Sequence, residues 1–126
     1  MFKKLTIYLM SIFYIYIGTR HFTDPNYFLA IMPPYLKWHI ELIYISGFFE
    51  ILLGFGLLTK YRKLSSWGLI LLLIAVFPAN IYLINSEKAQ IALNITKQNA
   101  LQCEIILCLI YAAVYATVCE LFMSCL

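Results

Sequence analysis

Four polar side chains interrupt otherwise apolar runs in this sequence: His21, Glu50, Asn80 and Gln102. Glu50 is the sharpest case, with Ile-Ser-Gly-Phe-Phe before it and Ile-Leu-Leu-Gly-Phe after it. An acid in such surroundings is costly unless it has a partner, a proton or a wet cavity, so it is a candidate for function. As a neutral acid, Glu50 can donate one hydrogen bond. As an anion it needs Arg20, a histidine or water, and Arg20 and Glu104 are the nearest candidate charge partners for the cluster as a whole. Such a set could carry a proton or hold the polar head of a small molecule. It could equally be an interhelical hydrogen-bond network that only fixes packing.

Other chemistries find little support. No Ser-His-Asp order, phosphate-cradling glycine loop or paired-carboxylate motif is present, so no residue is assigned as catalytic. His21 and His39 flank one connector rather than facing each other, which argues against a bis-histidine haem. Histidine and carboxylate ligands at helical spacing are missing, so no metal site is expected. Cys103, Cys108, Cys119 and Cys125 have no Cys-x-x-Cys pair and are read as small apolar residues.

The elements that must position these groups follow from composition. Of 126 residues, 63% are hydrophobic and only 12% charged, whereas a water-soluble domain carries about a quarter charged residues. Four apolar stretches, at about 5–22, 40–58, 65–84 and 101–123, are each near the length that spans a bilayer. Runs this long suit helices rather than alternating barrel strands. The expected fold is all-α: a single integral membrane domain, 1–126, built as a transmembrane four-helix bundle. Lys3-Lys4 before the first run resembles a signal peptide, but no Ala-x-Ala-like cleavage site follows, so the run is read as a retained span.

Spacing gives each helix a working face. Ser11, Tyr14, Gly18 and His21 fall on one stripe of span one, and Gly47, Glu50 and Gly54 on one stripe of span two. Gly18, Gly47 and Gly54 are read as helix-packing positions, because small residues let membrane helices approach closely. A rise of 1.5 Å per residue sets Glu50 roughly 13 to 15 Å deeper than Glu41. Between the spans, 24–36 is read as an interfacial segment. Asp24 would cap a short helix that Pro25 opens and Pro33-Pro34 stop, with Tyr27, Tyr35 and Trp38 as anchors. Pro78 should kink span three, and a Glu50–Asn80 contact with His21 above it is expected.

Lys3, Lys4, Lys60, Arg62 and Lys63 share one side, against Arg20, Lys37, Lys88 and Lys97 on the other. The positive-inside tendency therefore places both termini in the cytoplasm. The net charge of +3 arises from these flanks and does not indicate nucleic acid.

Three motifs carry a resemblance. Gly-Thr-Arg-His-Phe-Thr-Asp-Pro-Asn-Tyr-Phe-Leu-Ala-Ile-Met-Pro-Pro-Tyr-Leu, Ile-Ser-Gly-Phe-Phe-Glu-Ile-Leu-Leu-Gly-Phe-Gly-Leu-Leu and Phe-Pro-Ala-Asn-Ile-Tyr together resemble the DoxX family of small bacterial membrane proteins. The positions that match that pattern are Gly18, His21, Phe22, Pro25, Pro33, Gly47, Glu50, Gly54, Pro78, Asn80 and Gln102. The start of the last span departs from it: Gln98-Asn99-Ala100-Leu101-Gln102 lacks the Arg and Pro of an Arg-x-Pro-x-Gln motif. The resemblance implies a four-helix protein of the bacterial inner membrane. It would be an accessory or redox-linked subunit without chemistry of its own, working beside a membrane or redox partner. Two alternatives stand beside it: a quinone- or small-molecule-binding oxidoreductase subunit using Glu50, and an assembly partner for other membrane proteins. Lipid is the expected surrounding, and a homo-oligomer is compatible with the small-residue faces.

Overall fold

Helix α1 spans Phe2–Thr23 and ends where Pro25 approaches, since the residue ahead of a proline is pushed out of helical geometry. The structure is a computed structural model describing residues 2–96, 98, 99, 102, 113–116 and 119, with only the backbone at Phe2 and Lys3. The Asp24 amide closes α1 by donating to the Arg20 carbonyl at 2.9 Å. Pro25 then opens α2, Pro25–Ala30, as its fixed φ and missing N–H suit the first turn. Asp24 stands at the N-cap but makes no capping hydrogen bond. Its carboxylate pairs instead with Arg20 at 3.1 Å, one helical turn back. The helical part of the 24–36 segment is thus shorter than the sequence suggests. It ends at Ala30, and a turn closed by Leu36 N–H to the Pro33 carbonyl (3.2 Å) follows.

Helix α3 covers His39–Leu57 and enters from Trp38, whose φ of 58° is left-handed and costly for a bulky residue. The His39 imidazole Nε2 donates to the Pro33 carbonyl at 3.1 Å and ties this corner together. Thr59 Oγ1 donates to the Gly56 carbonyl (2.9 Å) in the tight turn leading to α4, Arg62–Asn85. Helix α4 continues through Pro78 as one element. Beyond it, Ser86 accepts the Ala89 amide and caps a short α5, Glu87–Ala92. The Gln90 amide donates to the Leu83 and Ile84 carbonyls, at 3.1 and 2.8 Å, and covers the C-terminal end of α4.

All elements among the described residues are helical. Among the described residues the most extensive pairing is α1 with α3, followed by α3 with α4. Ile7, Met10, Tyr14, Leu57, Leu69, Ile70, Leu73 and Val114 form the main core. A second core of Ile31, Leu83 and Ala89 joins the connector to α5. Helices α3 and α4, 19 and 24 residues long, are long and apolar enough to cross a membrane. Helix α1 is long enough but more polar, with Thr6, Tyr8, Ser11, Tyr14, Tyr16 and Thr19 along its length. Most of the expected fourth span, with Glu104, Cys103, Cys108 and Cys125, lies outside the described residues.

Candidate functional site

The seam between α1 and α3 sets the site, because glycines bring the two backbones together. A Cβ at Gly47 would stand 2.5 Å from the His21 Cβ, and one at Gly18 would stand 2.8 Å from the Gly47 carbonyl oxygen. Both positions need glycine for space rather than for backbone conformation, since neither has a positive φ. Ser11 Oγ donates to the Gly54 carbonyl at 2.6 Å further along the same seam. Close approach at Gly47 is what brings His21 onto Glu50.

His21 Nδ1 stands 3.4 Å from Glu50 Oε2, with both side chains buried. The same nitrogen is 3.0 Å from the Ile17 carbonyl oxygen. A carbonyl can only accept, so the Nδ1 proton is directed to Ile17 and away from the carboxylate. Glu50 Oε2 is therefore a buried oxygen without a hydrogen-bond partner. The Tyr14 hydroxyl is the other such atom among the described residues, and it lies within electrostatic reach of Glu50. Buried polar atoms are nearly always satisfied, and exceptions concentrate where a group has work besides folding.

A cavity of about 290 Å³ opens beside this pair. Glu50, His21, Ser46 and Asn80 contribute its polar groups, while Phe28, Ile31, Met32 and Leu36 of the connector contribute to its apolar wall. Phe28 stacks on the His21 ring with centroids 3.7 Å apart and planes 19° apart. The connector is thus a cover over a lined space, and His21 forms part of the joint. Asn80 lines the cavity, but its amide donates to Val76 in its own helix at 3.3 Å rather than to Glu50. The expected Glu50–Asn80 contact is replaced by a back-bond within a half-buried turn of α4, where the helix's own carbonyl is the nearer acceptor.

Arg20 is exposed and engaged with Asp24, so the nearest guanidinium does not face Glu50. Gln102 is helical and exposed, and is not part of the described cavity wall. Glu104 lies outside the described residues. No group of three or more His, Cys, Asp or Glu that could hold a metal occurs among the described residues. Tyr14 falls on the expected stripe of span one without being named as a site residue, and Phe28 and Ser46 are not singled out by sequence as part of a site. Ser46 adjoins Gly47, and Phe28 shares its short apolar face with Ile31 and Met32, which was the available signal.

These features define an all-helical protein with a covered, mostly apolar cavity and one buried acid–imidazole pair in its wall. By sequence the chain belongs to the family described as a domain of unknown function, DUF8561, whose model matches residues 10–117. This corrects the resemblance to DoxX: the matching family is a different one, and the motif likeness does not stand for kinship. The physical reason lies in what those motifs encode. Glycines facing a neighbour helix, an acid on the same stripe and a proline within a helix recur wherever helices pack around polar groups. No curated protein and no solved structure matches the chain.

Proposed function

We propose that this chain is a multi-pass integral membrane protein that binds a small, largely apolar molecule beneath its connector, with Glu50 as the polar anchor. The observation that carries the reading is a carboxylate oxygen, buried and unpartnered, in the wall of a cavity of about 290 Å³. That volume is at the lower edge of the range of about 300–1,000 Å³ typical of small-molecule sites. A mostly apolar wall with a few convergent polar groups is the usual composition of such a site.

The membrane setting is supported by what the helices leave uncovered. Only 28% and 22% of the apolar windows of α3 and α4 is buried inside the protein. Phe48, Leu52, Phe55, Leu71 and Ile74 are exposed, and an apolar surface of that extent needs lipid or another protein against it. Val114 packs in the main core with Ile7, Met10 and Leu69, which supports a fourth helix completing the bundle. In this reading both termini share the side of Lys60, Arg62 and Lys63, which the charge bias makes cytoplasmic. The protein acts by binding, as an accessory component, and no residue is given a catalytic role.

Purification in mild detergent, solvent extraction and mass spectrometry test the proposal. A recurrent small lipophile should accompany the native protein and be lost from a folded Ala79→Phe variant, whose ring would fill the cavity. Identical extracts from both proteins would refute it.

A further inference from the structure

Donors and acceptors along the cavity wall do not balance. The His21 Nδ1 proton is directed to the Ile17 carbonyl at 3.0 Å, which leaves the other nitrogen of the neutral ring as an acceptor. The Ser46 hydroxyl donates to the Ile43 carbonyl at 2.9 Å, leaving its lone pairs. The Asn80 amide nitrogen donates one of its two N–H groups to Val76, leaving the other N–H and the carbonyl oxygen. Glu50 Oε2 has no hydrogen-bond partner, in a side chain that is 8% exposed. The wall therefore offers more acceptors than donors. The His21 and Ser46 protons and one Asn80 N–H are spent on the protein's own carbonyls, which leaves the second Asn80 N–H against the acceptors of His21, Ser46, Asn80 and Glu50.

Charge is unbalanced in the same sense. No Lys or Arg is among the described residues lining the cavity, while Glu50 is its acid. An occupant that completes this wall brings hydrogen-bond donors, and a positive charge on it would hold Glu50 as the carboxylate rather than the neutral acid. A carbonyl head would meet acceptor against acceptor. A hydroxyl would satisfy one acceptor but bring its own lone pairs into the same acceptor-rich space. An ammonium group carries three donors and no acceptor, and its bonds to a carboxylate are charge-assisted and about twice as strong as neutral ones.

Resting on the reading of the cavity as a small-molecule site, we infer that it takes a small lipophilic amine, its ammonium head on Glu50 and its apolar body under Phe28, Ile31 and Met32. The Ser46 and Asn80 oxygens lie in the same wall and are further acceptors for the head. The flat Phe28–His21 stack lets the connector close over an apolar body without presenting a donor to compete for the carboxylate.

The test uses the full chain in detergent, with benzylamine and benzyl alcohol as size-matched probes and calorimetry as readout. Benzylamine should bind about tenfold more tightly than the alcohol, the value of one charge-assisted bond over a neutral one. Glu50→Gln should abolish that preference, bringing the amine's affinity down to that of the alcohol measured on the same variant. Asn80→Leu, at a half-buried position, gives a readout that does not depend on Glu50→Gln folding: the amine's preference should shrink. Equal affinities for the two probes, or a preference that survives Glu50→Gln, would overturn the inference. If neither probe binds while a neutral lipophile co-purifies and is lost with Ala79→Phe, the amine falls and the small-molecule site stands. If nothing binds and nothing co-purifies, both fall.

Discussion

The α1–α3 seam uses similar residue types toward opposite ends of the molecule, with opposite results. Near Gly54, the buried Ser11 hydroxyl donates to a backbone carbonyl at 2.6 Å, and the polar atom is satisfied. Near Gly47, equally close packing delivers His21 to Glu50, yet the carboxylate oxygen is left unpartnered. The space around the two ends differs as well. The pocket beside Ile7, Met10 and Leu57 holds about 10 Å³, against about 290 Å³ beside Glu50. One end is a joint and the other is a joint that also lines a chamber. Close packing alone therefore does not account for the acid, because the same seam meets its packing needs elsewhere with a serine.

The largest effect should come from closing the space between α1 and α3 at the chamber end of the seam. Gly47→Ala places a methyl 2.5 Å from the His21 Cβ, which has no freedom to move away along its helix. Overpacking of this kind costs about 1–3 kcal/mol, so thermal unfolding in detergent should shift down by several degrees. Binding of any cavity ligand should weaken with it, since α1 must shift to admit the methyl. If Gly47→Ala is neutral, the seam is looser than these distances state and His21 is not held against Glu50 by packing.

Ser11→Ala should cost less. Single interhelical hydrogen bonds in membranes average about 0.6 kcal/mol, and this one ends on a carbonyl already within a helix. Ligand binding should not change, because Ser11 stands at the satisfied end. A loss of binding comparable to that from Gly47→Ala would break the division between joint and chamber.

Much of this division was legible in the sequence. The apolar runs gave α1, α3 and α4 close to their observed limits, and the spacing of Ser11, Gly18, Gly47, Glu50 and Gly54 put the close-packing face on both helices. Helical periodicity is a local property, so it can be read without coordinates. The cover was legible only in outline. Proline and aspartate marked its start, but Asp24 chose Arg20 over the helix end, a competition between two local partners that spacing cannot rank. Asn80 followed the same course, taking its own helix rather than Glu50. The packing of Ala89 against Ile31 and Leu83 was out of reach, because it depends on how a polar connector folds back. The family likeness failed for a related reason: motifs for close packing report a physical demand that many unrelated chains meet.

Glu50→Met should have a smaller effect on stability than Ser11→Ala, and of opposite sign. Removing a buried carboxyl that lacks a hydrogen-bond partner leaves no orphaned donor behind, so unfolding should stay within about 0.5 kcal/mol of the native chain, on the stabilised side. Ligand binding should be lost at the same time. That pairing of retained fold and lost binding separates a binding group from a structural one. A drop in stability as large as that from Gly47→Ala would make Glu50 part of the joint.

Arg20→Ala should do least. Its partner Asp24 is one turn away on an exposed surface, with the two side chains 44% and 43% exposed. Exposed pairs of this kind contribute at most about 1 kcal/mol and often nothing measurable. Both unfolding temperature and ligand affinity should therefore remain within error of the native chain, at low and high salt alike. The value of the variant lies in what a larger effect would mean. Loss of ligand affinity on Arg20→Ala would require the guanidinium to leave Asp24 and reach the cavity, giving Glu50 an internal counter-ion. An ammonium ligand would then compete with the protein's own cation, and the contrast between a satisfied and an unsatisfied end of the seam would disappear.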